Sequence, residues 1–438
     1  MSVSHMYSAY KMCEIPWIDE IPTHWNIVRG KNILQLLERP VLDDDEIITC
    51  FRDGEVTLRK NRREEGFTVS LKEIGYQGVE PGDLVVHGMD GFAGAIGVSD
   101  SRGKASPVLI VMDSNENKRF LMYYLRALAY RDVFMSLSTG IRVRSCDLRW
   151  NKLSNLPFCL PPIIEQNRIA TYLDSRITKI DKLIKETETS IEEYQLLKAA
   201  TVCQAVTKGM GDDVTTKDSG VEFIGRIPAN WNMVPMKRIF DFSNGSAIKV
   251  GPFGSALSGA DIVEEGVWVY NQRTVLDQNF ETNTTFVTEE KANALSGFEV
   301  LPGDILITTR GSIGKIAIVP EGAPKGVLHP CVIRFRTDKR YINDELLKML
   351  FNESNFMLEQ MLQKSNSTTI DVLYSYNLKE LLIPVIPEEE RKRITEFLVR
   401  RCKELNTIIL MKQELISDLK AYKRSLVYET VTGKRKVV

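Results

Sequence analysis

The side chains in this chain best suited to chemistry lie in polar, basic loops, and the chemistry they suit is recognition by hydrogen bonding rather than bond breaking. In the first half they are Arg52, Lys60, Arg62 and Arg63, then Lys104, then Ser138, Thr139, Arg142 and Arg144. In the second half they are Asn271, Gln272 and Arg273, then Arg310, Ser312 and Lys315, then Lys364, Asn366 and Thr368. Guanidinium and amide groups make paired hydrogen bonds to guanine and adenine edges, and lysine and arginine bind phosphates. The loops are therefore candidate DNA contacts. A formal net charge of −1 does not announce a polyanion partner, but the charge is uneven. From Arg102 to Lys152 there are ten Lys/Arg against four Asp/Glu, and from Gly303 to Tyr341 seven against three. A solvated basic face would account for one such stretch. Two of them, in corresponding parts of two halves, point to a polyanion.

Residues that could break bonds are not gathered anywhere. His5, His24, His87 and His329 form no cluster with Cys or Asp at metal-ligand spacing. The cysteines (13, 50, 146, 159, 203, 331 and 402) are odd in number and contain no CxxC, which argues for free thiols over a disulfide framework or a zinc site. Gly311-Ser-Ile-Gly-Lys315 resembles a phosphate loop only superficially: its first glycine is misplaced and Ile316 stands where Ser or Thr is needed. It reads as a turn between strands, with Lys315 still a candidate for touching a phosphate. Leu160-Pro-Pro-Ile163 lacks both flanks of the Asn/Asp-Pro-Pro-aromatic motif of amino-methyltransferases. No catalytic, cofactor-binding or metal-binding residue is expected in the chain. A self-contained methyltransferase or nuclease is disfavoured for want of motifs; a coiled-coil scaffold that never touches DNA is the other alternative.

The elements that must carry the loops are written twice. Glu20-Ile-Pro-Thr-His-Trp25 returns as Arg226-Ile-Pro-Ala-Asn-Trp231, and Pro81-Gly-Asp83 returns as Pro302-Gly-Asp304. Each half mixes short β-like runs, glycine-bearing turns and a helical stretch, then closes with a long helix. The 438 residues, 43% hydrophobic and 26% charged, are enough for two such soluble domains. The predicted layout is a flexible lead-in over 1–14, a domain over 15–155, a long helix over 160–209, a linker over 210–220, a second domain over 221–384, a second long helix over 387–433 and a basic tail over 434–438. No apolar run approaches the roughly 18 residues that span a membrane. Nor is a secretory signal read at the N-terminus, so the cytoplasm is the default.

The two helices match at a shift of 225, and their stripes alternate spacings of four and three. The first seam reads Leu173, Ile177, Ile180, Ile184, Thr187, Ile191, Tyr194, Lys198, Thr201. The second reads Leu398, Cys402, Leu405, Ile409, Lys412, Ile416, Leu419, Lys423, Leu426. This heptad pattern predicts a coiled coil. Each helix, roughly 65 Å long at 1.5 Å per residue, would leave its stripe wet if alone, so antiparallel pairing is expected, with a pseudo-twofold relation between the halves. Two pairs of polar seam positions, Thr187 with Lys412 and Lys198 with Lys423, interrupt the stripe and are suited to fixing register at some cost in stability.

Two Ile-Pro-x-x-Trp openings, two Pro-Gly-Asp turns and two helix starts, Pro162-Ile-Ile-Glu165-Gln166-Asn-Arg168-Ile169 and Pro387-Glu-Glu-Glu390-Arg391-Lys-Arg393-Ile394, stand in one order. In that doubled order the chain resembles the DNA-specificity subunit of Type I restriction–modification systems over about residues 15–435. It departs at Arg391, where the family usually has the glutamine seen at Gln166. The resemblance implies two target recognition domains of mixed α/β fold, each reading one half of a bipartite site on double-stranded DNA. It also implies paired helices that set the gap and dock two methyltransferase subunits, whose cofactor is S-adenosylmethionine. Motor-nuclease (restriction) subunits would join for cleavage, and the chemistry would belong to these partners.

Overall fold

The computed structural model describes residues 6–62, 73–136, 148–211, 214–221, 224–243, 245–365 and 372–437, with the side chains of 255 and 363–365 also left aside. The chain divides into two compact units. One comprises 1–188 with 414–438, the other 189–413. Each unit therefore holds one globular domain, part of the helix that follows it and part of the other long helix. The helices themselves run Ile163–Lys208 and Glu388–Val431.

In the first unit a four-stranded antiparallel sheet has the order Gln35–Leu36, Leu109–Asp113, Leu84–His87, Ile96–Val98. Two further strand pairs, Ile48–Cys50 with Val56–Leu58 and Gln77–Val79 with Gly103–Ala105, are linked by a parallel bridge from Ile47 to Lys104. Asn26–Arg29 pairs with Pro157–Leu160 at the root of the domain. The helix Lys118–Tyr130, capped by Asn117 accepting from the Phe120 amide, packs Phe120, Tyr124 and Leu128 into the main core. The lead-in read as flexible is in part a strand: Tyr10–Ile15 forms a hairpin with Ile18–Pro22. Its pairing partner lies in the segment assigned to the domain, so residues 1–14 alone carry no sign of the strand.

The second unit repeats this frame. Its antiparallel sheet runs Ile248–Val250, Val332–Phe335, Ile305–Thr308, Ile316–Ile318, the same order strand for strand. Asn232–Pro235 pairs with Leu382–Val385, as Asn26–Arg29 pairs with Pro157–Leu160. The other sheet runs Phe286–Val287, Val267–Tyr270, Gly326–Leu328, Glu299–Val300, with its parallel pair in the middle, where the first unit has the Ile47–Lys104 bridge. A strand Thr216–Asp218 lies within the stretch read as a linker and pairs with Arg226–Pro228.

The repeated motifs turn out to be fasteners. Trp25 and Trp231 are fully buried, and each indole N–H donates to the first-turn glutamate of the long helix in its own unit: Trp25 to Glu165 at 3.3 Å and Trp231 to Glu390 at 2.9 Å. Arg391, at the position of Gln166, does comparable work by other means. Gln166 accepts from the Asn117 amide at 3.0 Å, whereas Arg391 donates to the Arg340 carbonyl at 2.7 Å. In each Pro-Gly-Asp turn the carboxylate closes the turn and neutralises an arginine. Asp83 accepts from the Glu80 amide and pairs with Arg39, and Asp304 accepts from the Leu301 amide and pairs with Arg336 at 2.5 Å. Asp304 is wholly buried, with Arg334 also 3.6 Å away. Removing it as Asp304→Ala leaves buried guanidinium charge uncompensated and should cost about 3 kcal/mol or more, read as a lower denaturation midpoint for the second unit.

Within each unit the helix segments run antiparallel. In the first, Lys423 reaches Asp181 at 2.6 Å and Lys420 lies 3.9 Å from Glu188. In the second, Lys198 donates to Asn406 at 2.8 Å and Lys412 sits over the Tyr194 ring. Lys423 and Lys198 thus reach across to positions 181 and 406, which are themselves related by the 225-residue shift. Leu173, Ile177, Ile180, Ile184 and Leu426 are buried in the first unit, and Leu398, Leu405 and Ile409 in the second. Ile416 and Leu419 in the first, and Ile191 and Tyr194 in the second, are half-buried.

Candidate nucleic-acid interface

Matching the two sheet frames places the predicted loops at equivalent positions. Arg52 lies in the turn between Ile48–Cys50 and Val56–Leu58, and Asn271, Gln272 and Arg273 open the longer connection between the equivalent strands Val267–Tyr270 and Phe286–Val287. Arg310 and Ser312 lie between Ile305–Thr308 and Ile316–Ile318, the place held in the first unit by Gly88–Gly94. Ser138, Thr139, Arg142 and Arg144 lie outside the described residues, as do Arg63, Asn366, Thr368 and the side chain of Lys364. Described residues that follow two of these segments in the sequence make matching contacts. The Leu148 amide donates to the Gly88 carbonyl at 2.9 Å, and the Leu373 amide to the Thr309 carbonyl at 2.8 Å.

Among the described residues the structure brings Arg52 and Arg62 together in the first unit, and the Asn271–Arg273 helix start and the Arg310–Ser312 turn in the second. In the first, Arg52 reaches across to Asp90 at 3.0 Å, and Arg62 pairs with Asp53 at 2.6 Å while lying over the Phe51 ring. These residues, with Arg59, His87 and Met89, line a concave space of ≈ 840 Å³. A neighbouring space of ≈ 750 Å³ shares Met89 and adds Arg39, Tyr76, Arg149 and Trp150. Burial lowers the pKa of His87, which favours the neutral ring; its Nδ1 accepts from the Asp90 amide at 3.0 Å and fixes the turn. Sequence reading missed Arg59, Met89, Arg149 and Trp150. Arg59 directly precedes Lys60 in a run already singled out, but the others carry no local signal and are gathered only by the fold.

In the second unit the site is smaller, with amides and hydroxyls grouped around Arg273 and Asp277. Asn271 caps the short helix Gln272–Asp277 by accepting from the Arg273 amide at 2.9 Å, and its Nδ2 donates to Thr285 at 2.9 Å. With Arg273, Asn279, Thr282 and Asn283 it lines a cleft of ≈ 160 Å³. The Gln272 side chain lies beside Gly311, where a β-carbon would come within 3.3 Å of its Nε2, so the helix start and the Arg310–Ser312 turn are contiguous.

Three predicted residues sit apart from these clusters. Lys60 pairs with Glu46 at 2.7 Å and Lys104 with Glu73 at 2.7 Å. Lys315 is turned inward: its ammonium donates to the Asn352 carbonyl at 3.0 Å, and burial lowers its pKa. It holds the end of the turn in place and is not offered to a phosphate as the loop-like motif suggested.

Burial pushes the thiols of Cys50 and Cys159 up to about 12, which keeps them protonated and inert. Among the described residues no group of three or more His, Cys, Asp or Glu could hold a metal ion, and no helix is long and apolar enough to cross a membrane.

Residues 228–416 match the family model described as the Type I restriction modification DNA specificity domain. Over 429 residues the chain is 24% identical to the Type I restriction enzyme MjaVIII specificity subunit of Methanocaldococcus jannaschii, covering 95% of this chain and 94% of that protein. Residues 228–416 thus carry a Type I restriction–modification DNA specificity domain, and the chain over nearly its whole length is similar to Type I specificity subunits. The EcoBI specificity subunit of Escherichia coli is a further relative, 26% identical over 339 residues, which is 75% of this chain and 67% of the relative. Two solved structures share the specificity-subunit fold. One comes from work on complex assembly and conformational transition of the type I R-M system (TM-score 0.69, 15% identity, 94% of this chain and 99% of the other). The other is the HsdS subunit from Thermoanaerobacter tengcongensis (TM-score 0.50, 15% identity, 96% and 100%).

Proposed function

We propose that this chain is a specificity subunit that reads a bipartite site on double-stranded DNA, one half-site through each globular domain, without catalysis of its own. The observation that carries the reading is the pairing of a repeated frame with divergent loops. Equivalent connections of the two sheet frames hold arginines beside apolar side chains in one unit, and arginines among amides and hydroxyls in the other. Arginine suits guanine and phosphate, asparagine and glutamine suit adenine, so the two halves should read different sequences. The paired long helices set the gap between half-sites and dock two methyltransferase subunits, which supply S-adenosylmethionine; restriction subunits join through them, in the cytoplasm.

Salt-dependent binding tests the reading. The chain assembled with its methyltransferase partners should bind its target with an affinity that falls steeply as salt rises. The double substitution Arg52→Ala with Arg62→Ala should weaken binding, and the log–log salt slope should shrink by about 1 for each phosphate that is no longer neutralised. Binding that is insensitive to salt and to DNA sequence would favour a scaffold that does not touch DNA.

A further inference from the structure

Lys198 occupies a seam position that a heptad pattern would fill with an apolar residue, and its side chain is only 16% exposed. An ammonium placed there must find partners, because a buried unpaired charge is costly. It has two. One is Asn406 on the second long helix, at 2.8 Å, and the other is Glu353 of the recognition domain, at 2.5 Å. Glu353 ends a π-helical turn, Met349–Glu353, which interrupts the helical region where the first unit has the continuous helix Lys118–Tyr130. Single π turns of this kind are uncommon and frequently mark functional positions.

The next residue back, Asn352, holds the reading loop. Its side chain accepts from the Ile316 amide at 2.9 Å and donates to the Ile316 carbonyl at 2.8 Å, and its own carbonyl accepts from Lys315 at 3.0 Å. Lys315 and Ile316 are the exit of the turn that carries Arg310 and Ser312. Polar contacts at Lys198–Glu353 and at Asn352–Ile316, joined by the peptide bond between Asn352 and Glu353, therefore lead from the helix seam to the base of a candidate DNA-contacting turn. The first unit is built differently at this place. Lys423, the match of Lys198, reaches Asp181 on the facing helix, and the domain is held by Arg131 over the Tyr428 ring and Arg424 over the Tyr130 ring.

We infer that Glu353 and Lys198 are positioning residues that make half-site discrimination by the second domain depend on correct pairing of the long helices. The inference rests on the DNA-reading function proposed above. Removing the link frees the turn carrying Arg310 without touching any DNA-contacting side chain. Its effect should be confined to one half-site, because Lys423 turns to the facing helix instead of to the first domain.

The test uses the full chain assembled with its methyltransferase partners, and duplexes carrying its mapped target or single-base changes in either half-site. With Glu353→Gln, discrimination against changes in the second domain's half-site should fall about fivefold, while discrimination in the other half-site stays as in the unsubstituted chain. Lys198→Gln, which keeps a hydrogen-bonding side chain opposite Asn406, should do the same, so the idea stays testable if one variant folds poorly. Asp181→Asn should leave the second half-site untouched. Equal reductions in both half-sites would mean a general stabilising role, and no change in either would mean no coupling; both overturn the inference. If the unsubstituted chain discriminates in neither half-site, it is the DNA-reading proposal itself that fails.

Discussion

Replacing residues 221–384 with the corresponding domain of another specificity subunit should change one half of the methylated target and leave the other half intact. The expectation follows from where the loops hang. Asn271, Gln272, Arg273, Arg310 and Ser312 all leave the two sheets of a single unit, whose core packs around Trp231, Phe335 and Leu346. The first unit has its own core around Trp25, Phe120 and Tyr124. Each set of described reading side chains hangs on the sheets of its own unit, so recognition should transplant as a block. The fasteners must travel with it: the incoming domain needs a tryptophan for Glu390 and an acid for Lys198, or it will sit loosely on the helices. The effect should be all-or-none at the level of the half-site, read by sequencing methylated DNA from cells that carry the hybrid. A change in both half-sites would mean that the domains do not read independently.

Inserting one heptad into each long helix, between Glu188 and Thr189 in the first and at the facing position near Leu415 in the second, should widen the gap between half-sites. Seven residues add about 10 Å of helix, or about three base pairs of duplex. The matched insertion keeps both cross-helix contacts, Lys198 to Asn406 and Lys423 to Asp181, in register. An insertion in one helix alone forces at least one lysine away from its partner and should produce a poorly assembled protein. A matched insertion that leaves the gap unaltered would contradict the idea that helix length sets it.

The helices are legible in the sequence because a heptad stripe is a strong periodic signal: the observed spans Ile163–Lys208 and Glu388–Val431 fall within the predicted 160–209 and 387–433. Lys198 and Lys423 are legible as interruptions, but their partners are not. Asn406 and Asp181 flank the stripe on the polar face, where nothing in sequence separates them from other surface residues. The recurring tryptophans and Pro-Gly-Asp turns can be read as core and turn. Their work as fasteners depends on Glu165, Glu390, Arg39 and Arg336, which are distant along the chain, and only folding brings these together. The sheets are the least legible part. Most of their strands are two to five residues long, too short for an alternation to register. The hairpin strand Tyr10–Ile15 alternates polar and apolar residues only weakly and so passes for part of the lead-in. Of the candidate site, the loops are visible in the sequence and their convergence is not. Lys315 misleads because a lysine after Gly-x-x-Gly looks offered to solvent, whereas the Asn352 carbonyl draws it inward.

The most direct measurement is a map of N6-methylated adenines in DNA from cells carrying this chain with its methyltransferase and restriction partners, compared with cells lacking only this chain. It should return one motif made of two different half-sites separated by a fixed run of unspecified bases, and the motif should vanish when this chain is removed. An unbroken motif, two identical half-sites, or methylation that persists without the chain would contradict a clamp that holds two different readers on one repeated frame.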